Sequence, residues 1–242
     1  MGSRPRTTRH TTTRIAIFNA LIAIDLGGVA RGVDSDLIRE GYDDLLNRFL
    51  RSVTFLEELS RRVGVRSIDR EDGFVLASLS YYVAMLGGRV FIDAGAGVGY
   101  STSWMLYGIA GTVPRGKISL YAVERDSRRY GYLKENVEKL GSLLFGEGSL
   151  VELITLNEDV VGFLEREGFE IDMIFVDIDK KQYIDVLRIL PEKLSRVGLG
   201  IFHNALIPGL DEETREFLKK QKQLTHRVIP TPLGLLIVKR TT

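Results

Sequence analysis

The sequence predicts an α/β fold with a doubly wound, mostly parallel seven-stranded sheet that ends in an antiparallel hairpin. Short β-branched runs alternate with helical windows, which is typical of right-handed βαβ units. The runs lie at 89–93, 117–123, 150–156, 171–176 and 198–203, and the helical windows at 101–109, 127–140, 159–167, 183–194 and 211–220. Two further strands, 225–229 and 235–239, flank a Pro-Thr-Pro-Leu-Gly turn and predict the hairpin.

The composition is that of a globular domain and excludes several classes of protein. The chain has 242 residues, of which 44% are hydrophobic and 27% charged, so it is neither disordered, collagen-like nor fibrous. Lys and Arg total 33 against 32 for Asp and Glu, which leaves no overall field toward nucleic acid or an anionic membrane. There is no cysteine, which excludes disulfides, thiolate metal sites and a cysteine nucleophile.

The N-terminal quarter predicts two segments ahead of the α/β domain. Residues 1–14 carry four arginines among threonines and predict a flexible basic tail. Residues 15–66 predict an N-terminal helical extension, in which the apolar stretch 15–30 is interpreted as an amphipathic helix. The alternative is a secretory signal, but Asn19 and Asp25 interrupt the stretch, which is also too short to span a bilayer. We therefore predict a cytoplasmic protein without a membrane segment.

A glycine-rich loop follows the first predicted strand and predicts a ligand site. Gly95, Gly97 and Gly99 stand between that strand and a helix, where glycine lets the backbone approach a ligand. A dinucleotide fingerprint needs a further glycine where Tyr100 stands, and no phosphate-loop lysine follows. The spacing G-x-G-x-G instead resembles motif I of S-adenosylmethionine (SAM)-dependent methyltransferases. Glu124 ends the second strand, where it can accept both ribose hydroxyls, and Asp93 ends the first, where it can face the methionine amino group.

Polar side chains also end the fourth and fifth predicted strands. Asp177 follows the strand 171–176, and His203 with Asn204 ends the next strand. Ligands of open parallel sheets bind outside the carboxyl ends of the strands, so these groups are expected to converge. A carboxylate, an imidazole and an amide oxygen predict a divalent metal site, with Lys180 close enough to serve as a base.

Several segments together resemble the cation-dependent O-methyltransferases, the family of catechol and caffeoyl-coenzyme A O-methyltransferases. They are Ile-Asp-Arg-Glu-Asp-Gly-Phe at 68–74, the glycine motif with its Gly-Tyr-Ser ending at 99–101, Glu124, Phe-Val-Asp-Ile-Asp-Lys with Tyr183, and Pro-Leu-Gly-Leu at 232–235. The resemblance covers 67–242 and implies a class I, Rossmann-like SAM-dependent methyltransferase domain there. It also implies a homodimer and a small phenolic or vicinal-diol acceptor.

The resemblance implies roles for particular residues. The expected cofactor-binding residues are Asp93, Gly95, Ala96, Gly97, Gly99, Ser101 and Glu124, with Asn157 and Glu158 at the adenine. Lys180 is expected to deprotonate the acceptor hydroxyl with the help of Asp177. The expected metal ligands are Asp177, His203 and Asn204, where the family has an Asp-Asn pair at the last two positions. Because imidazole replaces an oxygen ligand, the sequence predicts a shift from Mg²⁺ toward Mn²⁺ or Zn²⁺, or a weak or empty site.

Two other functions remain open from the sequence. The arginine-rich tail is compatible with a methyltransferase that acts on a modified RNA nucleoside. The replacement at His203 is compatible with a SAM-binding protein that has lost catalysis.

Overall fold

The computed structural model describes residues 35–112, 114, 116–145 and 148–241. The predicted basic tail at 1–14 and the predicted helix at 15–30 lie outside these residues. The helices are α1 (Ser35–Arg62), α2 (Arg70–Met85), α3 (Tyr100–Ala110), α4 (Ser127–Leu144), α5 (Val160–Arg166), α6 (Tyr183–Lys193) and α7 (Glu212–Lys220). The strands are β1 (Val90–Ala94), β2 (Ile118–Val123), β3 (Val151–Leu156), β4 (Ile171–Val176), β5 (Leu194–Phe202), β6 (Leu224–Ile229) and β7 (Leu235–Arg240).

The seven strands form one sheet in the order β3-β2-β1-β4-β5-β7-β6. The first five are parallel to one another, and β7 pairs antiparallel with both β5 and β6. The predicted fold class, including the C-terminal hairpin, is therefore confirmed. The sheet reverses its winding between β1 and β4, which is the place where open α/β sheets bind ligands.

Helices cover both faces of the sheet. On one face, α1 to α4 contribute large buried side chains such as Phe49, Leu76 and Trp104. On the other face, α5, α6 and α7 contribute Phe163, Leu187 and Leu218 among others. The two cores hold the strands rigidly, so their carboxyl ends are fixed relative to one another. No helix among the described residues is long and apolar enough to cross a membrane.

One strand is longer than the sequence pattern indicates. β5 begins at Leu194, where a start at 198 is predicted, and α6 accordingly ends at Lys193. Leu194 pairs with Ile171 of β4, and a register shift separates this pair from the rest of the ladder. An irregularity of this kind adds residues to one strand that no periodicity reveals.

Candidate active site at the strand tips

The carboxyl ends of five strands lie side by side. Beyond the strands proper, the Asp177 amide donates to the carbonyl of Ala94 at 2.9 Å, and the His203 amide donates to that of Val176 at 3.1 Å. The Glu124 amide likewise donates to Leu156 at 3.0 Å. The ladder thus continues one residue past the strand ends and brings these predicted site residues to one edge of the sheet.

The glycine loop is folded tightly against this edge. Gly95, Gly97 and Gly99 have φ values of +88°, +58° and +100°, in the left-handed region that favours glycine. A Cβ on Gly95 would overlap the backbone carbonyl of Asp177. Glycine is therefore required at the first position by both conformation and space.

The side chain of Glu124 links the glycine loop to the end of β2 through hydrogen bonds. Its carboxylate accepts hydrogen bonds from the Gly97 amide at 2.9 Å and the Asp126 amide at 2.8 Å, and the residue is buried. Each carboxylate oxygen retains a further lone pair for a ligand hydroxyl. Ribose binding by Glu124 stays a prediction, and the geometry leaves the carboxylate able to perform it.

A cleft of about 150 Å³ opens at the strand tips. Its lining includes Gly95, Glu124, Glu158 and Asp177, which sequence reasoning selected. Further lining residues, which sequence reasoning missed, are Arg125, Arg129, Asp159, Ile178, Asp179 and Gln182.

Gln182 connects two sides of this cleft. Its amide donates to Asp159 at 2.8 Å and accepts from Arg125 at 3.2 Å. No strand tip or motif marks Gln182 in the sequence. Gln182 ends a short 3₁₀ turn, Lys180–Gln182, which is capped by Asp179. This turn places its side chain at the cleft.

Asp93 lies beneath the glycine loop, fully buried. One carboxylate oxygen accepts from the hydroxyls of Ser101 at 2.7 Å and Thr102 at 2.5 Å. Burial raises the pKa of Asp93 to about 6, against the lowering effect of these two hydroxyl donors. Ala96 is also buried. Among the described residues, six of the predicted cofactor-binding residues are not in the cleft lining, so their contact with the cofactor stays a prediction: Asp93, Ala96, Gly97, Gly99, Ser101 and Asn157.

The two residues expected at the adenine both have partners within the protein. Asn157 donates to the backbone carbonyls of Glu124 and Arg125 at 2.9 and 3.1 Å, and accepts from Ser127 at 2.9 Å. Glu158 forms a two-point ion pair with Arg166 at 2.9 and 3.1 Å. Asn157 therefore shapes the loop after β2, while Glu158 lines the cleft.

Lys180 lies half-buried beyond Asp177. Its ammonium group donates to the backbone carbonyls of Asn204 at 2.7 Å and Gly209 at 3.4 Å. Burial lowers the pKa of Lys180, and the negative charges of Asp177 and Asp211 oppose this only in part. The hydroxyl of the nearby Tyr183 donates to Val176 and His203 carbonyls and so ties the ends of β4 and β5 together.

His203 is enclosed between two carboxylates. Nε2 lies 3.1 Å from Oδ2 of Asp72, and Nδ1 lies 3.3 Å from Oδ1 of Asp177. The second contact is electrostatic, since its angle does not make a hydrogen bond. Burial alone would lower the pKa of His203, but Asp177 and Asp72 raise it to about 9. Burial would raise the pKa of Asp72, whereas His203 and then Thr231, in the β6–β7 turn, lower it more.

The structure does not support the predicted metal site. Among the described residues, no group of three or more His, Cys, Asp or Glu side chains is arranged to hold a metal ion. Asp177 and His203 do meet, and Asn204 follows directly, but the imidazole faces carboxylates through both nitrogens. Asp72, the other carboxylate partner of His203, lies in the 68–74 motif, where the sequence predicts no role for it.

The fold matches those of solved methyltransferases. A methyltransferase from Geobacter sulfurreducens superimposes with a TM-score of 0.64 at 20% identity, over 79% of this chain and 89% of that one. The O-methyltransferase TomG from Streptomyces achromogenes, involved in tomaymycin synthesis and solved with SAM, gives 0.63 at 17% identity, over 79% and 90%. This chain has the methyltransferase fold. An O-methyltransferase from Bacillus cereus, in complex with SAH, gives 0.60 at 16% identity, over 79% and 91%.

These similarities confirm the resemblance at the level of the fold. No protein-family model matches the sequence, and no curated protein matches it. The fold and the strand-tip cleft therefore provide the basis for a functional proposal.

Proposed function

We propose that this protein is a SAM-dependent O-methyltransferase that acts on a hydroxyl group of a small phenolic or vicinal-diol acceptor. The observation that carries the proposal is the position of Asp177. It lines the same cleft as Gly95 and Glu124, and it also contacts the buried His203 and acts electrostatically on Lys180. A cofactor in the cleft and an acceptor beside Lys180 would therefore meet at one strand tip.

The cofactor half of the proposal rests on the glycine loop and Glu124. The free carboxylate lone pairs of Glu124 suit the two ribose hydroxyls, and the left-handed glycines give a ligand access to backbone. The acidic residues Glu124, Asp177 and Asp179 in the lining also suit a ligand that carries sulfonium and ammonium charges. SAM-bound and SAH-bound neighbours with this fold support the same ligand.

Lys180 is the proposed general base. A neutral lysine amine has two N–H donors and one lone pair, and the two backbone carbonyls of Asn204 and Gly209 occupy two donors. The remaining lone pair is then free to accept a proton. A lowered pKa increases the fraction of the amine that is neutral near pH 7.

The reaction is an in-line displacement. The acceptor O–H bond breaks and its proton passes to Nζ of Lys180, while the oxygen forms a bond to the methyl carbon of SAM. The C–S bond breaks, its electron pair stays on sulfur, and neutral S-adenosylhomocysteine leaves. Since the charge on sulfur disappears, the protein has mainly to align the reactants and remove the proton.

No step is assigned to a divalent metal ion. Mg²⁺ prefers oxygen ligands, and an imidazole binds Zn²⁺ or Mn²⁺ only through an unprotonated ring nitrogen. Both ring nitrogens of His203 face carboxylate oxygens. Among the described residues, no group of three or more His, Cys, Asp or Glu side chains is arranged around Asp177 to hold a metal ion. The donor set does not fit the ion that the family resemblance implies.

The test compares two neighbouring lysines. We expect Lys180→Ala to lower kcat for methyl transfer from labelled SAM to catechol by about 10²–10⁴-fold, the usual contribution of a general base. The exposed Lys181→Ala is the matched control and should keep the parent activity. SAM affinity, measured by calorimetry, should stay unchanged in both variants. Equal activity of Lys180→Ala and the parent would contradict the mechanism.

The two other functions are outcomes of the same assay. Transfer to RNA but not to catechols, with a strong dependence on salt, would favour the RNA methyltransferase. SAM binding without transfer to any hydroxyl acceptor would favour a protein that has lost catalysis. The predicted homodimer stays a prediction.

A further inference from the structure

A chain of three ionisable side chains runs from α2 to the tip of β4. Asp72 is 0% exposed and His203 is 3% exposed, so the first two members are sealed from water. The imidazole ring lies between the carboxylates, with Nε2 3.1 Å from Asp72 and Nδ1 3.3 Å from Asp177. Each ring nitrogen thus faces a different carboxylate.

This arrangement favours a positively charged ring. A neutral imidazole has one N–H and one lone pair, so one of its nitrogens would turn a lone pair toward a carboxylate oxygen. A ring that carries both protons meets both carboxylates with positive charge. Coulomb attraction to Asp177 does not need hydrogen-bond alignment, which fits the observed angle.

We infer that the positively charged side chain of His203 takes the place of the divalent cation, so that an internal cation offsets part of the negative charge of Asp72 and Asp177. Methyl transfer then needs no metal ion, a consequence that rests on the proposed function. The replacement itself does not depend on that function.

The charge balance of the cluster supports the replacement. With aspartate at position 203, as the family resemblance implies, the cluster would hold three carboxylates, and one dication would leave it with a net charge of minus one. The two carboxylates and the imidazolium of this chain reach the same net charge. Burial makes such a balance necessary, because an uncompensated buried carboxylate is strongly destabilising.

The cluster acts on the site through its exposed member. The Asp177 side chain is 23% exposed and lines the cleft, whereas the His203 side chain is 4% exposed. His203 is therefore a positioning residue that holds the Asp177 carboxylate, and Asp72 positions the ring in turn.

The test measures metal binding by the full-length protein after chelation and dialysis. We expect no saturable binding of Mn²⁺ or Zn²⁺ by the parent protein in calorimetry. His203→Asp creates a third carboxylate next to Asn204 and should gain saturable binding of one Mn²⁺ per chain, which the parent lacks. The matched control is His226→Asp on β6, which adds the same charge elsewhere and should bind like the parent.

Two results would overturn the inference. The first is tight binding of one Mn²⁺ or Zn²⁺ by the parent that His203→Ala abolishes, because Nδ1 would then be a ligand and Asp72 its supporting acceptor. The second is a folded His203→Asp variant that binds no more metal than the control.

A second measurement keeps the inference testable if His203→Asp does not fold. The chain has three histidines, so two-bond ¹H–¹⁵N spectra of the ¹⁵N-histidine protein contain three ring systems, and His226→Gln identifies one of them. We expect both ring nitrogens of His203 to show the shifts of protonated nitrogen at pH 7. One unprotonated nitrogen would overturn the inference.

An activity measurement separates this inference from the proposed function. If the parent transfers methyl groups, a chelator should change its rate less than about twofold, whereas the His203→Asp enzyme should become chelator-sensitive. A chelator-sensitive parent would overturn the inference. Absence of all methyl transfer would instead contradict the proposed function, while the metal titration and the spectra still decide the role of His203.

Discussion

Two aspartates in this protein are equally buried and behave in opposite ways. Asp93, under the glycine loop, and Asp72, on α2, are both 0% exposed. Burial raises the pKa of Asp93 to about 6, and the hydrogen bonds from two neutral hydroxyls lower it by less. Burial acts on Asp72 in the same direction, yet the contact with His203 and then Thr231 leave its pKa below the ordinary value. A cationic partner can thus keep a carboxylate charged even where no water reaches it.

The largest effect is expected from removing the cation beside Asp72. His203→Ala leaves a buried carboxylate without its partner and should lower the free energy of unfolding by about 3–5 kcal/mol. The double variant Asp72→Asn/His203→Ala should lose less than the sum of the two single variants in urea unfolding.

The pH dependence of this loss has a definite sign. The folded-state pKa of His203 is raised from 6.5 to about 9, so its stabilisation is fully present below pH 6.5 and is lost as pH rises through 9. The difference in the free energy of unfolding between the parent and His203→Ala should therefore become smaller from pH 6.5 to pH 9. A difference that stays constant over this range would contradict the positive charge of His203. His226→Ala is the control.

A smaller effect, with the same direction of pH dependence, is expected at Asp93. Its folded-state pKa is raised from 3.8 to about 6, so it favours folding below pH 3.8 and that contribution is lost as pH rises through 6. Relative to the parent, Asp93→Asn should therefore gain stability on the order of 2–3 kcal/mol between pH 4 and pH 7. Urea unfolding at the two pH values measures the change, and equal differences at both would show that Asp93 is not perturbed.

The smallest effect tests the hydroxyl donors. Thr102→Val removes the 2.5 Å hydrogen bond to Asp93 and should cost about 2 kcal/mol at pH 7, where the carboxylate is charged, and less at pH 4. Thr112→Val is the matched control, since Thr112 is also buried but donates to the carbonyl of Ile109. Its cost should not change with pH. A pH-independent cost at Thr102 would mean that the hydroxyl does not act through charge.

The place of each residue in the fold explains which parts of the site the sequence predicts. Gly95, Glu124, Asp177 and His203 all follow strands, and parallel strands align their carboxyl ends by backbone hydrogen bonding alone. Their convergence is therefore predictable from local pattern. Asp72 lies on a helix and reaches His203 only because α2 packs beside the end of β5, a contact 131 positions apart in sequence.

At two other positions, the residue type alone does not predict which groups the side chain contacts. His203 is a common metal-ligand type, but whether a ring nitrogen is free depends on what packs on both of its sides. Asn157 follows a strand as an adenine contact would, yet its amide bonds to Glu124, Arg125 and Ser127. The partners of His203 and Asn157 cannot be predicted from the sequence, because both sets depend on loops whose path is set by tertiary packing.

The C-terminal hairpin has a consequence for the order in which the site is made. β7 inserts between β5 and β6, and Thr231, in the turn between β6 and β7, is one of the groups that keep Asp72 ionised. On the ribosome, Asp72 and the glycine loop emerge more than a hundred residues before this turn. The cluster therefore needs a segment that is synthesised long after the glycine loop, so the growing chain can form that loop well before it can close the carboxylate–imidazole cluster.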